Sequence, residues 1–108
     1  LVENDLEATP EAEATVRAAV AEMLEHGADQ IVLGCTHYPF LLPVLERVVA
    51  GRGVTVVDPS PAVARRVVQL LDRYGLHVDP AHRAEYTFRT FADEAYRLRL
   101  ERKALGAL

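Results

Sequence analysis

Residues Ile31 to Pro43 read IVLGCTHYPFLLP, and the organisation of the chain can be worked out from them. Ile31, Val32 and Leu33 follow one another without alternation, the pattern of a short strand buried on both faces. Gly34 ends that strand, expected over Gln30 to Gly34. A helix is expected from about Pro39, with Leu41, Val44, Leu45 and Val48 on one face and Gly51 as its stop. The only cysteine of the chain, Cys35, lies between the two, followed directly by Thr36 and His37.

Working outward, the same alternation recurs. On the N-terminal side, Thr9-Pro10 opens a helix, because Thr caps free amides and Pro suits the first helical position. Its stripe is Val16, Ala19, Val20, Met23 and Leu24, and Gly27 stops it. On the C-terminal side, Val54 to Val57 forms a second buried strand. Ser60-Pro61 begins a third helix with Val63, Val67, Leu70, Leu71 and Tyr74 inward, closed by Gly75. Glu85 to Phe91, EYTFRTF, alternates like an edge strand. Asp93 caps a last helix to about Leu105, whose apolar residues make no clean stripe. Strands alternating with helices predict an α/β chain with a mostly parallel sheet and flanking helices.

The chain has 108 residues, enough for one ordinary domain. Half of them are hydrophobic, so a modest core can form, and no apolar run nears the roughly 20 residues of a membrane span. No signal-peptide pattern is present. One cysteine cannot form an internal disulfide and suits a reducing cytosol, so a cytoplasmic location is expected. The net charge of −4 argues against a nucleic-acid partner. Eight acids against Arg17 alone in residues 1–30 read as a solvated helix face. The bases Arg97, Arg99, Arg102 and Lys103 suit the C-terminal end of the last helix, where they oppose its dipole. The chain begins LVENDLEATP rather than with Met, which reads as part of a longer protein, and a three-stranded sheet would be small without a partner domain.

In open α/β sheets ligands bind beyond the carboxyl ends of the strands, and Cys35 stands at that point. A helix N-terminus favours thiolate, and an adjacent imidazole can orient or exchange a proton. Thr36 adds a hydroxyl, and Gly34 lets backbone or ligand come close. From chemistry alone two readings stand. One is an acid/base site for an anionic substrate. The other is a small buried hydrophobe beside a capping histidine. His26, His77 and His82 show no metal-ligand spacing with Cys35 and His37, so no metal is expected. Phosphate loops, GxSxG and HExxH are also missing.

Leu33 to Pro43, LGCTHYPFLLP, resembles the C-terminal catalytic motif of glutamate racemases in the aspartate/glutamate racemase superfamily. LVEN at Leu1 to Asn4 resembles that family's PLVE segment, and VVDPSPAVARRVV at Val56 to Val68 the strand and helix that follow the motif. The likeness covers about residues 1–75. It implies half of a two-domain racemase-type fold, with residues 1–80 as the core α/β unit and residues 81–108 as a C-terminal strand and helix. It implies interconversion of L- and D-glutamate without a cofactor, supplying D-glutamate for peptidoglycan. Cys35 would be one of two thiols on opposite faces of the substrate α-carbon, because a single rigid base returns the proton to the face it left. Thr36 and His37 would contact substrate, with His37 also assisting Cys35, and Glu3 would be an auxiliary acid/base residue. Related members carry an acid where His37 stands, which favours glutamate over aspartate. The family often dimerises.

The family's first cysteine lies in an N-terminal CNT segment, and neither that segment nor its PYG substrate-binding segment occurs here. The expected partners are therefore glutamate and the missing N-terminal half, and these residues alone are expected not to racemise by the two-thiol route. The alternatives are a racemase of another amino acid, such as aspartate, or a non-catalytic α/β module that binds a small acid or a partner protein.

Overall fold

The computed structural model describes residues 1–106. A 3₁₀ turn at Val2–Asn4 leads to α1 (Pro10–Glu25), β1 (Gln30–Val32), a second 3₁₀ turn (Tyr38–Leu41), α2 (Leu42–Val49), β2 (Thr55–Val57), α3 (Ser60–Tyr74) and α4 (Glu94–Gly106). The two strands are parallel, with Gln30 opposite Thr55, Ile31 opposite Val56 and Val32 opposite Val57. The ladder runs one residue past each end, through Thr55 N–H to the Asp29 carbonyl at 2.8 Å and Leu33 N–H to the Val57 carbonyl at 3.0 Å.

Local chemistry sets the helix ends. Thr9 Oγ1 accepts a hydrogen bond from Ala12 N–H at 3.2 Å and donates to the Leu6 carbonyl at 2.8 Å. It thus satisfies a free amide of α1 and fixes the entering chain. Gly75 takes φ +62° just past α3, where Leu76 N–H reaches back to the Leu71 carbonyl at 2.9 Å. A residue with a Cβ would be strained in that left-handed turn. Asp93 Oδ1 accepts from Tyr96 N–H at 2.8 Å and caps α4 as expected.

The core joins α1, α2, one face of β1 and the first 3₁₀ turn: Val16 and Val20, Val44, Leu45, Val48 and Val49, Ile31 and Leu33, and Val2. The face foreseen for α2 is the face it buries, and Val44 at its centre is 1% exposed. The helix starts later than Pro39. Pro39 and Pro43 have no N–H to give, and Pro43 fits only the first turn of an α-helix. The chain therefore runs as a 3₁₀ turn through Leu41 before α2 begins.

Three expectations are corrected. β1 is not buried on both faces: Ile31 and Leu33 are covered by α1 and α2, but Val32 between them is 63% exposed. The inward stripe of α3 has nothing to face, since no residue of α3 is buried and Val63, Val67 and Tyr74 are each at least half exposed. Glu85 to Phe91 forms no strand, because no neighbouring strand offers it a ladder, and Tyr86 and Phe91 point into solvent. The sheet among the described residues therefore has two strands, not three. These bare surfaces match the dimensions of the chain. Its radius of gyration is 17.4 Å, against about 13 Å for a compact chain of this length.

Candidate active site

Leu33, 4% exposed, pins the end of β1 into the core, and the chain then surfaces. Gly34, Cys35 and Thr36 are exposed and His37 is half-buried. The 3₁₀ turn holds this segment: Tyr38 N–H donates to the Cys35 carbonyl and Phe40 N–H to the His37 carbonyl, both at 3.2 Å. Thr36 Oγ1 and His37 Nδ1 lie 3.2 Å apart and share a hydrogen bond. The hydrogen-bond partner of the His37 ring is thus Thr36, and the imidazole is oriented by its neighbour's hydroxyl rather than by the thiol.

Cys35 stands on a ridge between two hollows. One is lined by Glu3, Cys35 and His37 together with Val2, Tyr38 and Leu41. Glu3 arrives there because Val2, 5% exposed, is sunk in the core and carries the first 3₁₀ turn against the 3₁₀ turn at Tyr38–Leu41. The other hollow is lined by Cys35, Thr36, Pro59, Ser60 and Val63. The structure thus brings a thiol, an imidazole and a carboxyl to one hollow, and places Thr36 toward the second.

Ser60, which lines the second hollow, was not anticipated there, and Asp58 is its hydrogen-bond partner. Asp58 Oδ1 accepts from the Ser60 hydroxyl at 2.6 Å and from Ser60 N–H at 2.9 Å. These bonds, the hydroxyl first, hold the Asp58 carboxyl below its ordinary value of 3.8. The signal was available: Asp58 directly follows β2, and in a parallel pair the ends of both strands open on the same edge.

Two of the remaining histidines, His77 and His26, serve local structure. His77 Nε2 pairs with Asp72 Oδ1 at 2.7 Å, and His26 Nδ1 bonds the Glu22 carbonyl at 2.8 Å. No three His, Cys, Asp or Glu side chains among the described residues converge as metal ligands. No helix among them is long and apolar enough to cross a membrane. The bases of α4 do more than oppose its dipole. Arg97 pairs with Glu94 and Glu101 on its own helix. Arg99 and Lys103 instead reach the start of the chain, at Glu3 and at Asp5 and Glu7.

Residues 2–67 match the family model described as Asp/Glu/Hydantoin racemase. The chain is 50% identical over 68 residues to a glutamate racemase of Roseiflexus sp. (strain RS-1), covering 63% of this chain and 25% of that protein. It is 40% identical over 96 residues to a glutamate racemase of Deinococcus radiodurans, covering 89% of this chain and 33% of that one. Its fold is similar to the crystal structure of a glutamate racemase from Bacillus anthracis, with a TM-score of 0.79 at 26% identity, over 97% of this chain and 39% of that chain. It is also similar to a glutamate racemase from Thermus thermophilus solved in complex with β-chloro-D-alanine, with a TM-score of 0.74 at 35% identity, over 95% of this chain and 39% of that chain. The chain therefore spans a quarter to a third of the length of these sequence relatives.

Proposed function

The chain belongs to the Asp/Glu/hydantoin racemase family, and from that premise we propose that it is the C-terminal part of a cofactor-independent glutamate racemase. Cys35 is one of two thiols that act on opposite faces of the substrate α-carbon. As thiolate it takes the α-proton, the electron pair left on carbon delocalises into the carboxylate, and the second thiol delivers a proton from the other face. In the reverse direction the two exchange roles. His37, steadied through Nδ1 by Thr36, and Thr36 itself contact the substrate. Glu3 completes the acid/base set. The second thiol lies in another segment of the same protein, within the missing N-terminal half. Residues 1–80 form the core unit that carries this site, and residues 81–108 form the C-terminal piece. D-glutamate formed in the cytoplasm would supply peptidoglycan.

The observation that carries this reading is the hollow that holds Cys35, His37 and Glu3 at the carboxyl end of β1. The uncovered apolar residues of β1 and α3 support it, because a two-half enzyme needs such faces to close on.

The experiment is exchange of the glutamate α-proton in D₂O, followed by NMR together with chiral analysis of the product. The full product of the gene should form D-glutamate, and Cys35→Ser should abolish racemisation while the fold, read by circular dichroism, stays intact. The isolated chain should be inactive. Racemisation by the isolated chain at the full product's rate, or by Cys35→Ser at the unaltered rate, would refute the two-thiol account. Faster turnover of aspartate than of glutamate would reassign the substrate.

A further inference from the structure

The 3₁₀ turn that carries Glu3 is anchored on one side by buried Val2. It is three residues long, and the bonds that close it are Asn4 N–H to the Leu1 carbonyl at 3.2 Å, Asp5 N–H to the Val2 carbonyl at 3.3 Å and Leu6 N–H to the Leu1 carbonyl at 3.0 Å. A 3₁₀ turn has poorer hydrogen-bond geometry than an α-helix. It also ends on a strained residue, since Asp5 is the only described non-glycine residue with positive φ, at 56°. Such a conformation persists where surrounding contacts hold it.

On the side of Glu3 to Glu7 those contacts come from α4, some 96 positions along the chain. Arg99 Nε donates to the Glu3 carbonyl at 3.3 Å. Lys103 Nζ pairs with Asp5 Oδ1 at 2.7 Å and with Glu7 Oε1, and lies 5.7 Å from the centre of the Phe40 ring. Phe40 belongs to the second 3₁₀ turn, the one that follows Cys35. The Lys103 side chain is only 13% exposed. One ammonium group thus touches both segments that meet at the hollow.

We propose that α4 is a clamp that sets the position of Glu3 relative to Cys35, with Lys103 and Arg99 as positioning residues for the racemase reaction. The inference rests on the glutamate-racemase reading of the hollow. Neither residue lines the hollow, so each acts through the backbone of residues 3–7. The electrostatics agree with the geometry. Burial works to lower the Lys103 pKa, but hydrogen bonds and charge from Asp5 and Glu7 outweigh it and raise it. The Asp5 carboxyl is held low, chiefly by its bond to Lys103. Glu7 Oε2 is buried without a hydrogen-bond partner, so loss of Lys103 would strand a sheltered carboxylate and drive residues 5–7 to rearrange.

The test uses the full product of the gene with Lys103→Met, Lys103→Arg, Glu3→Gln and the double variant Glu3→Gln/Lys103→Met. Lys103→Met should lower kcat by about tenfold while KM stays within about twofold, as for a displaced acid/base group in an intact binding site. Lys103→Arg, which keeps the charge, should recover most of the rate. In the Glu3→Gln background, loss of Lys103 should cost little more, because the group it positions is already gone. Amide hydrogen exchange of residues 2–7 should speed up in Lys103→Met and not in Lys103→Arg. Unchanged exchange in Lys103→Met, or losses that multiply in the double variant, would overturn the clamp. A full rate in Glu3→Gln would instead remove Glu3 from the chemistry. The exchange measurement would then still decide whether α4 holds the turn.

Discussion

Val32→Ala in the full product of the gene tests whether the bare face of β1 is a covered surface in the working protein. Val32 is 63% exposed here, whereas its neighbours Ile31 and Leu33 are 7% and 4% exposed. The change removes two methyl groups, worth about 0.8 kcal/mol each when taken out of water, or about 1.6 kcal/mol in all. About two thirds of that surface lies open in this chain, so covering it would add about 1 kcal/mol, and an unfilled cavity would raise the loss to about 1.5–2 kcal/mol. If the face stays in water, the loss is limited to the part already sheltered, about 0.5 kcal/mol. Ile31→Val is the internal control. Its side chain is already buried, and it should lose about 1 kcal/mol in either case. Urea unfolding followed by circular dichroism reads both, provided the slope against urea is the same for all three proteins. A Val32→Ala loss well below that of Ile31→Val would refute the idea that another part of the full product seats on β1.

Two further expectations concern single groups. Thr9→Ala removes the cap of α1 and should cost about 1 kcal/mol in the same unfolding assay, with Thr9→Ser restoring it. The Asp58 carboxyl, held low by Ser60, contributes stability that is present above its ordinary value of 3.8 and is lost as the pH falls through its lowered value. Ser60→Ala should therefore move the Asp58 titration, read by carboxyl-carbon NMR, back up toward that ordinary value. An unmoved titration would show that the Ser60 hydroxyl does not hold the carboxylate.

Much of this architecture is legible in the sequence where a residue's role is local. Thr9-Pro10 starts α1, Asp93 caps α4, and Gly75 closes α3, because caps and left-handed turns are decided within a few residues. The apolar face of α2 was legible too, since Leu41, Val44, Leu45 and Val48 have their cover within the chain. The failures share a cause. Val63, Val67 and Tyr74 carry the period of a buried face, but the period does not say whether the cover lies in these residues. The alternation from Glu85 to Phe91 is likewise only half of a strand signal, because a ladder needs a neighbour. Cys35 and His37 were singled out by the strand-end position and the family resemblance, and Glu3 by the resemblance alone; the three line one hollow. The place of Ser60 beside the second hollow was not read because that strand-end rule was applied to β1 and not to β2. The reach of Lys103 to Asp5 and Glu7 had no local signature at all.

That last contact bears on when the molecule becomes whole during its synthesis. A chain emerges from the ribosome N-terminal end first, and segments with local contacts settle early. The core that α1, β1 and α2 build with Val2 and Leu41 lies within the first half of the chain and can pack while the rest is still being made. The contacts from Arg99 to Glu3 and from Lys103 to Asp5 and Glu7 form only once α4 has been made. A chain that lacked α4 would then keep its core but lose the Arg99 and Lys103 contacts to residues 3–7.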